Sequence, residues 1–258
     1  MLRTWTRLTA ALAAAVLALA GCGGDSGGGS GAASPGEIKV FAAASLTAAF
    51  TELGEDFAAA NGGTRVIFNF AGSQALATQI QQAAPADVFA SADLANMDKV
   101  KDLVGTPQNF ASNLLAIVVE NGNPRNIGGL DDLANPDLKV VLAAPDVPAG
   151  RYAAEILGRA GVTVKPVSEE DNVKAVVTKV SLGEADAGIV YVTDVTAGGD
   201  RVERVDIPTE QNVTATYPIA AVKASQAPDQ ARAFVDLVLS AEGRRVLEQH
   251  GFLPPPTT

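Results

Sequence analysis

Apolar positions along the chain alternate between two periods. Residues 39–44, Lys39-Val40-Phe41-Ala42-Ala43-Ala44, form a short apolar run of strand length. Leu46, Phe50, Leu53 and Phe57 then recur at spacings that trace one face of a helix. Asn61-Gly62-Gly63 supplies a left-handed stop. Val66, Phe68 and Phe70 next alternate along a strand, and Ala71-Gly72-Ser73 leads into a helix marked by Leu76 and Ile80. Residues 84–93 predict a third short strand entering a capped helix over 94–103. The β-rich run 114–119 ends in the turn Asn121-Gly122-Asn123-Pro124, a short helix is predicted over 129–133 and a strand over 138–143. Residues 145–150, with Pro145 and Pro148, read as a rigid turn outside any helix that launches a helix over 151–160. Ser168 to Asn172 reads as a cap with three acids in a first helical turn, followed by Val173, Val176, Val177 and Val180 on the buried face. Residues 187–191 and 217–222 predict buried strands, and 228–239 and 241–249 two final helices. Strand and helix alternate throughout, so the class is α/β with a mostly parallel sheet.

Ser45 stands where the first strand feeds the first helix. A serine there is an N-cap, its hydroxyl accepting from a free amide of the first turn. The same position, at the carboxyl end of a strand and the positive end of a helix, is where open α/β sheets bind anions. Ser73 repeats the arrangement in the second unit, and both readings stand for each.

The first 21 residues change the compartment. Arg3 and Arg7 precede an apolar run from 8 to 20, and Leu19-Ala20-Gly21 approaches Cys22, the only cysteine. This is a signal-segment pattern, too short to span a bilayer as a mature helix. Leu-Ala-Gly-Cys resembles a bacterial lipobox, in which the cysteine is lipidated and becomes the mature N-terminus. A lone cysteine excludes an internal disulfide, and acyl chains on Cys22 imply a location at the extracytoplasmic face of the cell membrane. Residues 22–36, rich in Gly and Ser, then form a tether. Removing residues 1–21 takes away two arginines and no acid, so the net charge moves from −10 to −12. Such a surface argues against nucleic acid, which needs a basic footprint.

Enzymatic constellations are scarce. A serine hydrolase needs a base beside its nucleophile, and the single histidine, His250, sits at the end of the last helix, where a cap or surface role is expected. No serine is followed three residues later by lysine. The acid clusters Asp131-Asp132 and Glu169-Glu170-Asp171 fall at predicted helix starts without His or Cys, so solvated first turns are expected rather than a metal site. What remains is a set of neutral hydrogen-bond donors at strand ends: Ser45, Ser73, the Pro148-Ala149-Gly150 turn, the amides near Val173, and Tyr191.

Together these segments resemble the molybdate-binding proteins of bacterial ABC transporters, which are type II periplasmic-type solute-binding proteins. The resemblance runs from about Ile38 to Leu253. It is carried by Val40-Phe41-Ala42-Ala43-Ala44-Ser45-Leu46, Phe70-Ala71-Gly72-Ser73, Ala84-Pro85-Ala86-Asp87-Val88-Phe89 with Ser91-Ala92-Asp93, Val147-Pro148-Ala149-Gly150, Glu170-Asp171-Asn172-Val173, Gly188-Ile189-Val190-Tyr191 and Tyr217-Pro218-Ile219. It implies a two-lobed α/β fold with two crossing hinge segments near 114–119 and 206–217. The lobes would comprise residues 37–114, 115–217 and a return to the first lobe over 218–258. It also implies an interlobe site for molybdate or tungstate made by Ser45, Ser73, Ala149, Val173 and Tyr191, with molybdenum present only as the bound oxyanion and no cofactor. The expected protein is a monomer, not an enzyme, partnered by a membrane permease. The same fold serving sulfate or another small solute is the nearest alternative, and a secreted hydrolase using Ser45 is one from another class. The chain departs from the family pattern in two places: Gly72 stands where a further serine is common, and the turn around Asp146 before Val147 is one residue shorter.

The position of Cys22 generates a prediction. Cys22→Ala, expressed in a bacterial host that lipidates exported proteins, should appear in the soluble extracytoplasmic fraction with unchanged solute affinity, whereas the wild type sediments with membranes. Fractionation that leaves the variant on membranes would refute the anchor.

Overall fold

The strand Gln108–Glu120 (β4) is the longest in the computed structural model, which describes residues 36–256, and the sheet changes partners along it. The expected signal segment, Cys22 and all of the tether except Gly36 lie outside the described residues. Up to Leu114, β4 runs antiparallel to Thr214–Ala221 (β9). From Leu115 onward it lies between Ala187–Tyr191 (β7) and Val202–Asp206 (β8), antiparallel to both. One half of the sheet adds Glu37–Ala43 (β1), Arg65–Ala71 (β2) and Val88–Ala90 (β3) in the order β2-β1-β3-β9-β4. The other adds Val140–Ala143 (β5) and Ser168–Glu170 (β6) in the order β4-β7-β5-β6.

The sheet is mixed. β1 pairs in parallel with β2 and β3, and β5 with β6 and β7, as the strand-helix alternation predicts. Every antiparallel pairing between these strands involves β4 or β9, which carry the chain between halves. β8 and the short helix Val192–Gly198 (α6), which ends in a Gly-Gly pair, carry little amphipathic signal and are not evident from sequence.

The first half closes over Thr47–Ala60 (α1). Leu46, Phe50, Leu53 and Phe57 are all fully or almost fully buried, and Phe50 and Phe57 meet Phe234 edge-on with ring centroids 5.9 and 5.4 Å apart. Phe234 belongs to Pro228–Leu239 (α7), which with Ala241–Gln249 (α8) packs back against α1, so the chain ends on the half where it began. In the second half, Pro148–Ala160 (α4) and Val173–Ser181 (α5) cover β5 and β7.

Several local expectations are corrected. Pro148-Ala149-Gly150 is not a turn ahead of a helix but the first turn of α4: proline at N1 lacks only an amide that would be unpaired there anyway. Ser168–Glu170 is an edge strand rather than a helix start, because its backbone pairs with Val141–Ala143, and the cap is Asn172, whose Oδ1 accepts from the Ala175 amide at 3.1 Å. The helix expected over 94–103 is the short Leu94–Asp98 (α3), followed by turns. Ser73–Gln81 (α2) begins as expected.

The two crossings between the halves are tied to each other. Residues 207–213 connect β8 to β9, and within them Asn212 completes the edge of β4: its Nδ2 donates to the Leu115 carbonyl at 2.8 Å and its Oδ1 accepts the Leu115 amide at 3.2 Å. Asn212→Ala leaves both backbone groups of Leu115 buried without these partners. It should lower stability by about 1–3 kcal/mol, read as a lower urea midpoint.

Candidate functional site

Four helical segments point their first residues at one small cavity. Ala43, Ala44 and Ser45 reach it at the single 3₁₀ turn Ala44–Leu46 ahead of α1. Ala71, Gly72 and Ser73 reach it at the start of α2, Val147, Pro148 and Ala149 at the start of α4, and Val173 at the start of α5. Ala92 and Tyr191 complete the lining. Ser45, Ser73, Ala149, Val173 and Tyr191, separated widely in sequence, therefore share one wall-to-wall site between the halves of the sheet. Amides in a first turn have no partner within their own helix, and the helix dipole adds positive potential there. No carboxylate, lysine, arginine or histidine is among the lining residues, and Asp146 stays outside them.

The side chains sharpen this picture. The Ser45 hydroxyl does not cap α1; it lies 3.0 Å from the Tyr217 hydroxyl. Thr47 instead satisfies the Ala44 carbonyl, at 2.6 Å. Ser73 Oγ accepts from the Ala92 amide at 3.0 Å, which leaves its own proton to donate elsewhere. The Tyr191 hydroxyl is buried with no hydrogen-bond partner among the described residues. Its ring packs edge-on against Tyr217, centroids 5.8 Å apart. Burial holds both phenols well above the usual tyrosine range, so each keeps its proton and remains a donor. Tyr217 is the site component that residue-by-residue reasoning missed: it touches Ser45 rather than the cavity, and only its place in the Tyr217-Pro218-Ile219 segment hinted at it.

Two candidates fall away from the site. His250 ends α8 and its Nε2 lies 2.8 Å from Glu52 Oε2, while the Ser45 hydroxyl is engaged with Tyr217, so no serine–histidine pair forms. Among the described residues, no group of three or more His, Cys, Asp and Glu is placed to hold a metal ion, and no helix is long and apolar enough to cross a membrane.

A family model described as bacterial extracellular solute-binding protein matches residues 38–253. The chain belongs to this family. The binding protein is 46% identical over 260 residues to the molybdate-binding protein ModA of Mycobacterium tuberculosis, covering 97% of this chain and 99% of that one. It is 31% identical to the molybdate-binding protein ModA of Escherichia coli, covering 98% and 99%. Its fold is that of the periplasmic molybdate-binding protein of Azotobacter vinelandii, with a TM-score of 0.74 at 19% identity over 85% of this chain and 100% of that structure. The two-lobed solute-binding architecture follows, with the cavity between the lobes. As a solute-binding protein it acts outside the cytoplasm, and it binds its solute rather than transforming it.

One ionisable group behind the site has a measurable consequence. Asp194, in the first turn of α6, is buried, and burial pushes its carboxyl up to about 7 against the opposing pull of the Tyr191 amide and Lys174. Its Oδ2 accepts that amide at 3.2 Å. A carboxyl raised in the folded state gives stability that is complete below its unfolded pKa of about 4 and is lost as pH rises through 7. The protein should therefore lose on the order of 1–3 kcal/mol between pH 5 and pH 8. Asp194→Asn, which keeps an acceptor for the Tyr191 amide, should flatten that slope in urea unfolding followed across the range.

Proposed function

We propose that this protein captures molybdate or tungstate in the interlobe cavity and delivers it to the membrane permease of an ABC transporter. It does so as a monomer held to the outer face of the membrane by lipid on Cys22. The first lobe comprises residues 37–114 and the return of the chain after the second crossing, and the second lobe the residues between. Closure bends the chain at Leu114–Leu115 and along 207–213, where strand pairing changes hands.

The observation that carries this reading is a lining of hydroxyls and first-turn amides without any charged side chain. A tetrahedral dianion is matched by the hydroxyls and first-turn amides of Ser45 and Ser73, the amides of Ala149 and Val173, and the Tyr191 hydroxyl, each contributed by a separate element. Tyr191 is the clearest case, because a buried phenol without a partner costs about 1–3 kcal/mol until an acceptor arrives. The names of the relatives, molybdate-binding proteins at 46% and 31% identity, support the same solute. Because affinity here comes from short-range aligned dipoles in a chain of net negative charge, it should vary little with ionic strength. The lining also has no carboxylate to accept the proton that phosphate keeps at neutral pH, leaving only weaker hydroxyl acceptors for it, which disfavours phosphate.

Calorimetric titration with molybdate, tungstate, sulfate and phosphate at pH 7 tests the reading. Molybdate and tungstate should bind with affinities between micromolar and tens of nanomolar, and phosphate more weakly, by roughly 5- to 150-fold for the poorly paired hydroxyl. Tyr191→Phe, which removes one donor and keeps the packed ring, should weaken molybdate by roughly 10- to 150-fold with little change in unfolding. Phosphate binding as tightly as molybdate would overturn the assignment.

A further inference from the structure

The lobes also touch each other through Arg151 and Gln74, neither of which lines the cavity, and through Gly72 on its wall. Arg151, in the first turn of α4 on the second lobe, forms an ion pair with Asp93 of the first lobe, whose side chain is 3% exposed against 37% for Arg151. The Asp93 carboxylate is already held within its own lobe: it accepts from the Asn96 amide at 2.8 Å, from Asn96 Nδ2 at 3.2 Å and from Ser91 Oγ at 3.3 Å. The acceptor is thus fixed before closure, and the guanidinium is the partner that arrives with the other lobe. Beside it, Gln74 Nε2 on α2 donates 2.9 Å to the Asp171 carbonyl just ahead of α5. Between these contacts sits Gly72, with φ of −61° and ψ of 138°, a conformation open to any residue. A Cβ there would stand 2.4 Å from the movable Gln74 Oε1 on its own lobe and 2.5 Å from the Asp171 carbonyl oxygen, a backbone atom, across the cleft. The glycine is demanded by the approach of the opposite lobe and not by its own backbone.

We propose that Arg151 and Gln74 are positioning residues that hold the cleft shut over the bound anion, with Gly72 as the point where the lobe backbones meet. The seam governs how long the solute stays and not which solute is chosen. The cavity residues recognise the anion; the seam adds stability only to the closed form, whatever tetrahedral anion is inside. This rests on the reading of the cavity as an oxyanion site. A charge pair formed after encounter acts on the dissociation rate, and a half-exposed arginine acts more weakly than a fully buried one.

The test measures association and dissociation rates by stopped-flow tyrosine fluorescence, and affinities by calorimetry, for molybdate and sulfate on the mature protein. Arg151→Gln should speed dissociation of both anions by roughly 5- to 30-fold, change association by less than about twofold and leave the molybdate-to-sulfate affinity ratio unaltered. Arg151→Lys, which keeps the charge, should recover part of the loss. Gly72→Ala should speed dissociation in the same way while the thermal midpoint of the ligand-free protein stays within a degree or two of wild type. Unchanged dissociation rates in both Arg151→Gln and Gly72→Ala would overturn the seam. So would an affinity ratio in Arg151→Gln that shifts as much as the affinities themselves, since Arg151 would then be recognising the anion. A wild-type protein that binds neither anion would instead bring down the reading of the cavity, and this inference with it.

Discussion

The structure turns on backbone amides that helix geometry leaves unpaired. An α-helix cannot satisfy its own first-turn donors, and here the starts of α2, α4, α5 and the turn before α1 are aimed at one buried space lined without any acidic side chain. Donors in such a place need an acceptor from outside the chain. The neighbouring hydroxyls are arranged so as not to supply one: Ser73 Oγ is occupied by the Ala92 amide, Ser45 and Tyr217 engage each other, and Tyr191 keeps a proton that burial prevents it from losing. The architecture of the sheet, with β-strands ending on the same cleft from two sides, is what makes this convergence geometrically available.

The same constraint accounts for the weakness of charge in the site. The chain carries a formal net charge of −10, so an anion gains nothing from the global field. Attraction must come from dipoles that act over a few ångströms and therefore from a cavity that closes tightly. Arg151 is a cation at the cleft, and it is spent on Asp93 rather than offered to the cavity. Asp194 lies on the opposite account: a buried carboxyl that secures the Tyr191 backbone, and through it the orientation of the phenol, at the cost of a carboxyl that resists ionisation.

Closure needs the lobes to move without losing their cores. Asn212 makes the second crossing an extra rung on the edge of β4, so the two connecting segments are joined by two hydrogen bonds. The aromatic cluster around Phe50, Phe57 and Phe234 lies wholly within the first lobe and is untouched by such a motion. The Arg151–Asp93 pair and the Gln74–Asp171 hydrogen bond, both polar contacts between the lobes, are ones that water can replace.

By itself the sequence determined the elements whose stabilising signal is local. The buried face of α1, the Val173 to Val180 face of α5, strand β7 and the two final helices are read from periodicity because burial repeats with the period of the element. Ser45, Ser73, Ala149, Val173 and Tyr191 were legible as donors at strand ends and through the family pattern they resemble, since a polar residue at the mouth of an apolar strand leaves a visible mark. Tertiary structure alone decided what those donors face. It made Ser168–Glu170 an edge strand because β5 was there to pair with it, and drew Pro148 into α4 because a first turn needs no amide from it. It gave the Ser45 hydroxyl to Tyr217, 172 positions away, in place of the cap that local chemistry favours. The need for glycine at position 72 is set by a carbonyl 2.5 Å from where a Cβ would stand, on a lobe that comes near only when the chain has crossed over and folded back. Such distances are fixed by packing between segments remote in sequence, and no pattern of neighbouring residues records them.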